Sequence, residues 1–192
     1  MANVEAIFEQ AELISAEDLH QLFVQSKPLT NNSGMRILKE DSSGYKSLMM
    51  YARSLSVTWG NDPRYWRWLS LENDIDVEVA QLLDVCWLEV RGNTPMKNLE
   101  AGQKYEVMFV LMFLDPSGLE PKATFQLVAN GETWERKLSL QNLQPKQWVK
   151  VKIGEFVAKE DGGDVIFSLT NYEELNWKRG LIVEGVLIEQ RV

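Results

Sequence analysis

The sequence predicts an all-β protein, an antiparallel β-sandwich of jelly-roll type, with an N-terminal helical appendage. Three observations carry this. From Ser47 onward the apolar residues alternate with polar ones at the period of half-buried strands. Strand-length runs recur at short intervals, separated by Gly, Pro, Asn and Asp turns. Helical spacing is confined to the first two dozen of the 192 residues.

Val4, Ile7, Phe8, Ala11 and Ile14 fall at helical intervals, and Ser15-Ala16-Glu17-Asp18 resembles a capping box opening a second short helix through Leu19, Leu22 and Phe23. Residues 1–25 are therefore expected to form a helical appendage that docks on the main domain or on another copy of the chain. Residues 26–46 contain Pro28, Asn31-Asn32-Ser33-Gly34 and Asp41-Ser42-Ser43-Gly44 around one short strand-like run, Met35 to Leu38. Such turn chemistry reads as a linker, and residues 47–192 as the β domain.

Within that domain Leu55, Val57 and Trp59 alternate with Ser54, Ser56 and Thr58. Val85 to Val90 is apolar on both faces except Glu89, which predicts a strand buried on both sides with Cys86 as a small buried hydrophobe. Further strands are expected at Lys104–Leu114, Ala123–Ala129, Glu132–Leu138, Trp148–Ile153, Val165–Leu169 and Leu181–Gln190. Asn130-Gly131 is a strong signal for a type I′ hairpin.

The composition excludes several functions. A net charge of -8 provides no basic stripe for phosphates and argues against nucleic-acid binding. A lone cysteine, Cys86, rules out an intrachain disulfide and suits a reducing, cytoplasmic setting. Acidic Glu5 and Glu9 do not suit a signal peptide, and no apolar run reaches membrane-spanning length. The single histidine, His20, leaves neither a metal site nor a catalytic triad to build, and no cofactor motif is present. Paired carboxylates could serve glycoside hydrolysis without histidine, but Glu173-Glu174, Asp161 with Asp164, and Glu89 read first as solvated acids.

One stretch does not read as core. Thr58 to Trp68 runs Thr-Trp-Gly-Asn-Asp-Pro-Arg-Tyr-Trp-Arg-Trp and holds three of the seven tryptophans beside two arginines. A pyranose offers an apolar face for a flat ring and a rim of hydroxyls for polar side chains. The aromatics of this stretch, with the polar run Thr170 to Gly180, provide both. Tyr65 and Arg67 are expected on one face of an extended segment, with Arg64, Trp66 and Trp68 on the other.

At Ala52–Trp59 and Asn61–Trp68 the chain resembles the plant phloem protein 2 family, which includes the tobacco-type lectin. The likeness continues through Glu78–Gly92, Trp148–Phe156 and Trp177–Gly185, so that it covers residues 50 to 190 in order. The resemblance implies a non-catalytic jelly-roll lectin that binds N-acetylglucosamine oligomers, including chitin fragments and the N-glycan core, in the cytoplasm or phloem sap. It assigns sugar contact to the tryptophans matching Trp59 and Trp66 and to two acidic positions matching Asp164 and Asn171. Asp164 keeps the charge. Asn171 replaces it with an amide that still donates and accepts, and Glu173 stands two residues on. In this reading Tyr65 and Trp68 shape the stacking wall, Lys178 adds a polar contact, and dimerisation would add avidity. The alternative is a phloem structural or interaction protein with weak or lost sugar binding, acting by self-association or by RNA and protein traffic.

Overall fold

The structure is a computed structural model that describes residues 11–29, 32–71, 74–115, 122–140 and 143–192. Residues 1–10, where the first expected helix begins, and Pro116-Ser117-Gly118, where a turn is expected between strands, lie outside the described residues.

Alternation becomes architecture most simply in β10 (Ala123–Ala129), where every second side chain is buried. It pairs with β11 (Glu132–Leu138) through the predicted two-residue turn, in which Asn130 and Gly131 both have positive φ, 55° and 76°. β13 (Asp164–Asn171), β8 (Leu88–Pro95) and the short β5 (Ser56–Val57) complete one sheet, in the order β11-β10-β13-β8-β5. The second sheet is built around β9 (Lys104–Phe113), β12 (Trp148–Val157) and β14 (Leu181–Gln190). β4 (Gly44–Tyr51) and the hairpin of β6 (Trp66–Leu71) with β7 (Asp74–Leu82) flank β14. From β8 to β14 the chain mostly crosses from one sheet to the other at each step, as a jelly-roll sandwich requires. Between the sheets Phe109 meets Phe125 and Phe167 edge-on, at ring centroids 5.7 and 6.2 Å.

The N-terminal third departs from expectation in two places. Ser15 caps a helix as predicted, its Oγ accepting from the Asp18 N–H at 3.0 Å, and α1 spans Ala16–Gln25. No helix precedes it among the described residues. Ala11–Leu13 is instead a strand, β1, paired with β12, whose outer edge otherwise exposes unpaired backbone groups. The described part of the stretch expected as linker is also structured: β2 (Lys27–Leu29) and β3 (Asn32–Asp41) extend the second sheet beyond β4. The expected boundary at residue 46 falls inside β4. Asp41-Ser42-Ser43-Gly44 does turn the chain, but as the tip of the β3–β4 hairpin, with Asp41 accepting from the Ser43 N–H at 2.8 Å. Turn residues mark a reversal equally well in a linker and in a hairpin, and only the paired strands distinguish the two.

α1 gives the second sheet an apolar outer face. Leu19, Leu22 and Phe23 pack on Met49, Tyr51, Met108, Trp148 and Leu187, which point away from the sandwich core. The outer face of the first sheet has no such cover among the described residues. No helix among them is long and apolar enough to cross a membrane.

Candidate functional site

The Gly-Asn-Asp-Pro turn positions the first exposed ring. The Asp62 N–H donates to the Trp59 carbonyl at 3.0 Å and the Gly60 N–H to Val57 at 2.9 Å. The Asp62 carboxylate binds the backbone and guanidinium of Arg64, a hydrogen bond that holds it below the usual carboxylate range. Trp59 sits in this turn at φ 65° and is 59% exposed. A bulky residue in the left-handed region is strained, and such strain persists where the surrounding structure enforces it. Tyr65 lies edge-on to Trp59 at 6.2 Å.

Trp66 requires a correction. It was expected beside Trp59 as a stacking surface, but it is 2% exposed, opposite Leu82 in the β6–β7 hairpin. Its indole N–H donates to the Thr58 carbonyl at 3.1 Å. Trp68 is half-buried, donates to the Gly60 carbonyl at 2.8 Å and carries the Arg53 guanidinium 3.7 Å over its ring. Neither ring is a free wall as placed. Both indoles hold the backbone on either side of Trp59, so they fix the turn that presents it. The stretch is also not extended throughout: strand geometry begins only at Trp66.

A second correction supplies the missing rings. Residues 85–87 do not form the doubly buried strand expected of them. Val85 makes an isolated bridge with Lys178, and β8 starts at Leu88. The bend leaves Cys86 half-buried and Trp87 42% exposed, stacked on Tyr172 at 4.2 Å. Trp177, 55% exposed, joins them. Trp59, Tyr65, Val85, Cys86, Trp87 and Trp177 line a hollow of about 170 Å³. The Glu89 carboxylate accepts from the Trp87 indole and from Arg91, both at 3.0 Å. Burial pushes its pKa up, but these bonds and the Arg91 charge outweigh burial and leave it lowered.

Lys178, expected to reach a sugar, is fully buried. Its ammonium donates to the carbonyls of Cys86 (2.6 Å), Glu174 (2.6 Å) and Asn176 (3.0 Å). Desolvation pushes its pKa down, opposed by Cys86 and Glu174. The side chain clamps together the two loops that carry Trp87 and Trp177.

The polar residues expected to face Trp59 separate. Asp164 and Asn171 occupy opposite ends of β13, about 23 Å apart along the strand. Asp164 accepts from Asn93 at the far end. Asn171 is buried at the near end, beside Tyr172. Asn171 and Glu173 border a cleft of about 410 Å³ on the outer face of the first sheet, where Glu173 pairs with Lys137 at 3.2 Å. Sequence reasoning missed Trp87, and took Tyr172 and Trp177 only as members of the polar run Thr170 to Gly180, not as rings of the site. Trp87 was hidden in an apolar run, whereas Trp177 had a usable signal, a lone ring among polar neighbours.

These features define a β-sandwich domain with a cluster of aromatic rings on the loops at one end and a polar cleft on the adjoining sheet. The profile of the phloem protein 2 family matches residues 45–190, and the chain belongs to that family. It is 32% identical to a lectin from Luffa acutangula, over 98% of this chain and 94% of that protein. It is 35% identical to the Arabidopsis thaliana protein phloem protein 2-like A1, over 79% of this chain and 64% of the relative. It is 27% identical to an Arabidopsis thaliana F-box protein, over 90% of this chain and 60% of that one. The chain thus spans slightly less than two thirds of both Arabidopsis relatives. Among solved structures it is similar to a family 35 carbohydrate binding module from Clostridium thermocellum, with a TM-score of 0.46 and 9% identity over 74% of this chain and 96% of that one.

Proposed function

We propose that this chain is a non-catalytic carbohydrate-binding protein, a lectin for N-acetylglucosamine oligomers. The observation that carries the reading is the gathering of three exposed tryptophans, Trp59, Trp87 and Trp177, with Tyr65 around one hollow. Exposed rings at fixed angles offer apolar platforms for pyranose faces, and their desolvation favours a partner that covers them. Kinship with a protein named a lectin supports the same conclusion.

The polar complement differs from the expected one. Glu89, Arg91 and Tyr172 stand beside the rings, and a carboxylate with a guanidinium matches the N–H donor and carbonyl acceptor of an acetamido group. Tyr65 and Trp59 keep their proposed roles, while Trp66, Trp68 and Lys178 act through the backbone they hold. A plant cytosolic or phloem-sap setting agrees with the single free thiol.

Titration calorimetry of the native chain with chitotriose tests the proposal. Binding heat that disappears in Trp59→Gly and Trp87→Ala is expected. The absence of heat for the native chain at millimolar sugar would reject it.

A further inference from the structure

The two outer faces of the sandwich differ. That of the second sheet is apolar and covered by α1, whereas that of the first sheet is polar and concave. Its floor is set by strand register: Thr124 lies beside Thr170 and Lys137, and Gln126 beside Ser168 and Glu135. On the other side Ser168 lies beside Arg91. An ordinary solvated sheet face is also polar. Two features set this one apart. Its central side chains are neutral hydroxyls and an amide, and two of them, Ser168 and Thr170, are buried at the floor of the cleft. Charges of both signs border it, Lys137 and Glu173 at one rim and Arg91 with Glu89 at the other. A surface with uncharged donors and acceptors in its centre and no net sign suits a neutral polyhydroxyl chain better than an anion or a peptide terminus.

The cleft and the aromatic hollow share no lining residue but adjoin at the Trp87–Tyr172 stack. Tyr172 stacks on Trp87 with one face and lines the cleft, and Arg91 lines the cleft while sharing Glu89 with the Trp87 indole. From Lys137 through Thr124 and Thr170 to Glu89 the row crosses three strand spacings, about 14 Å.

We infer that the cleft over β10, β11 and β13 is a second subsite, which takes the further residues of an oligosaccharide whose end is held by the rings. This rests on the carbohydrate reading above and extends it: the preferred ligand is a chain, bound across the sheet by hydrogen bonds.

The test is a calorimetric series of N-acetylglucosamine di-, tri-, tetra- and pentasaccharides with the native chain, Gln126→Ala, Lys137→Ala and the double variant. Gln126 and Lys137 lie on the outer face, so the variants retain the core. The native chain is expected to gain affinity up to the tetramer or pentamer. The double variant is expected to bind the disaccharide within twofold of the native chain but the longest oligomer about tenfold more weakly. Equal affinity of native and double variant for every length would overturn the second subsite while leaving the lectin reading intact. Equal loss at every length, disaccharide included, would also overturn it. No binding of any oligomer by the native chain would remove both.

Discussion

Replacing Lys178 with methionine tests the clamp between the two ring-bearing loops. The change keeps the length of the side chain and removes its ammonium, which donates to three backbone carbonyls at 2.6 to 3.0 Å. A hydrogen bond from a charged donor contributes about 1.5 kcal/mol at the weaker end of its range, so the three total roughly 4.5 kcal/mol. Deleting the charge also relieves its desolvation, and the thioether packs where the lysine stem lay, which together return about 2 kcal/mol. The net loss expected is about 2–3 kcal/mol, or a fall in Tm of about 5–10 °C for a chain of this size. Urea unfolding followed by far-UV dichroism measures the first, and chitotriose affinity measured on the folded variant should fall as well, because Trp87 and Trp177 lose their common anchor. A stability loss below about 0.5 kcal/mol would refute the reasoning, since such values are typical of surface changes that break nothing.

Other expectations follow from the same geometry. Trp66→Ala should cost about 3–5 kcal/mol in urea unfolding, as for a core ring, whereas Trp59→Gly should stabilise by about 1 kcal/mol by relieving the positive φ while abolishing sugar heat; a destabilised Trp59→Gly would argue against strain at that turn. Cys86 lines the aromatic hollow, so saturating chitotriose should slow its labelling by a disulfide reagent several-fold; an unchanged rate would move the sugar elsewhere. Glu155 accepts from Lys104 at 2.5 Å and Lys152 at 3.0 Å, which lowers its pKa from the usual 4.5 to about 2. A depressed folded value contributes stability present above pH 4.5 and lost as pH falls towards 2. Glu155→Gln should therefore flatten the urea midpoint between those pH values, modestly and less at high salt because the pair is partly exposed. Parallel curves for variant and native chain would disprove it.

The sequence by itself determined the strands. Alternation and turn chemistry are local properties, and β10, β11 and β14 fall on the residues predicted for them, with the Asn130-Gly131 turn between the first two. Family membership was equally legible, because it rests on residue order alone. What a side chain faces is not local. Trp59 and Trp66 lie seven residues apart in one aromatic stretch, yet pairing of β6 with β7 buries Trp66 opposite Leu82 while the turn strands Trp59 in solvent. The strand expected at Val165–Leu169 runs from Asp164 to Asn171 as β13 and so holds these two residues at opposite ends. The vacant edge of β12 drew Ala11–Leu13 out of the expected helix. Lys178 reads in sequence as a polar contact to a sugar, and only the meeting of its loop with Cys86 makes three carbonyls available to hold its charge in the interior. Periodicity fixes which residues form strands; the partner each strand finds decides which rings are left to meet a ligand.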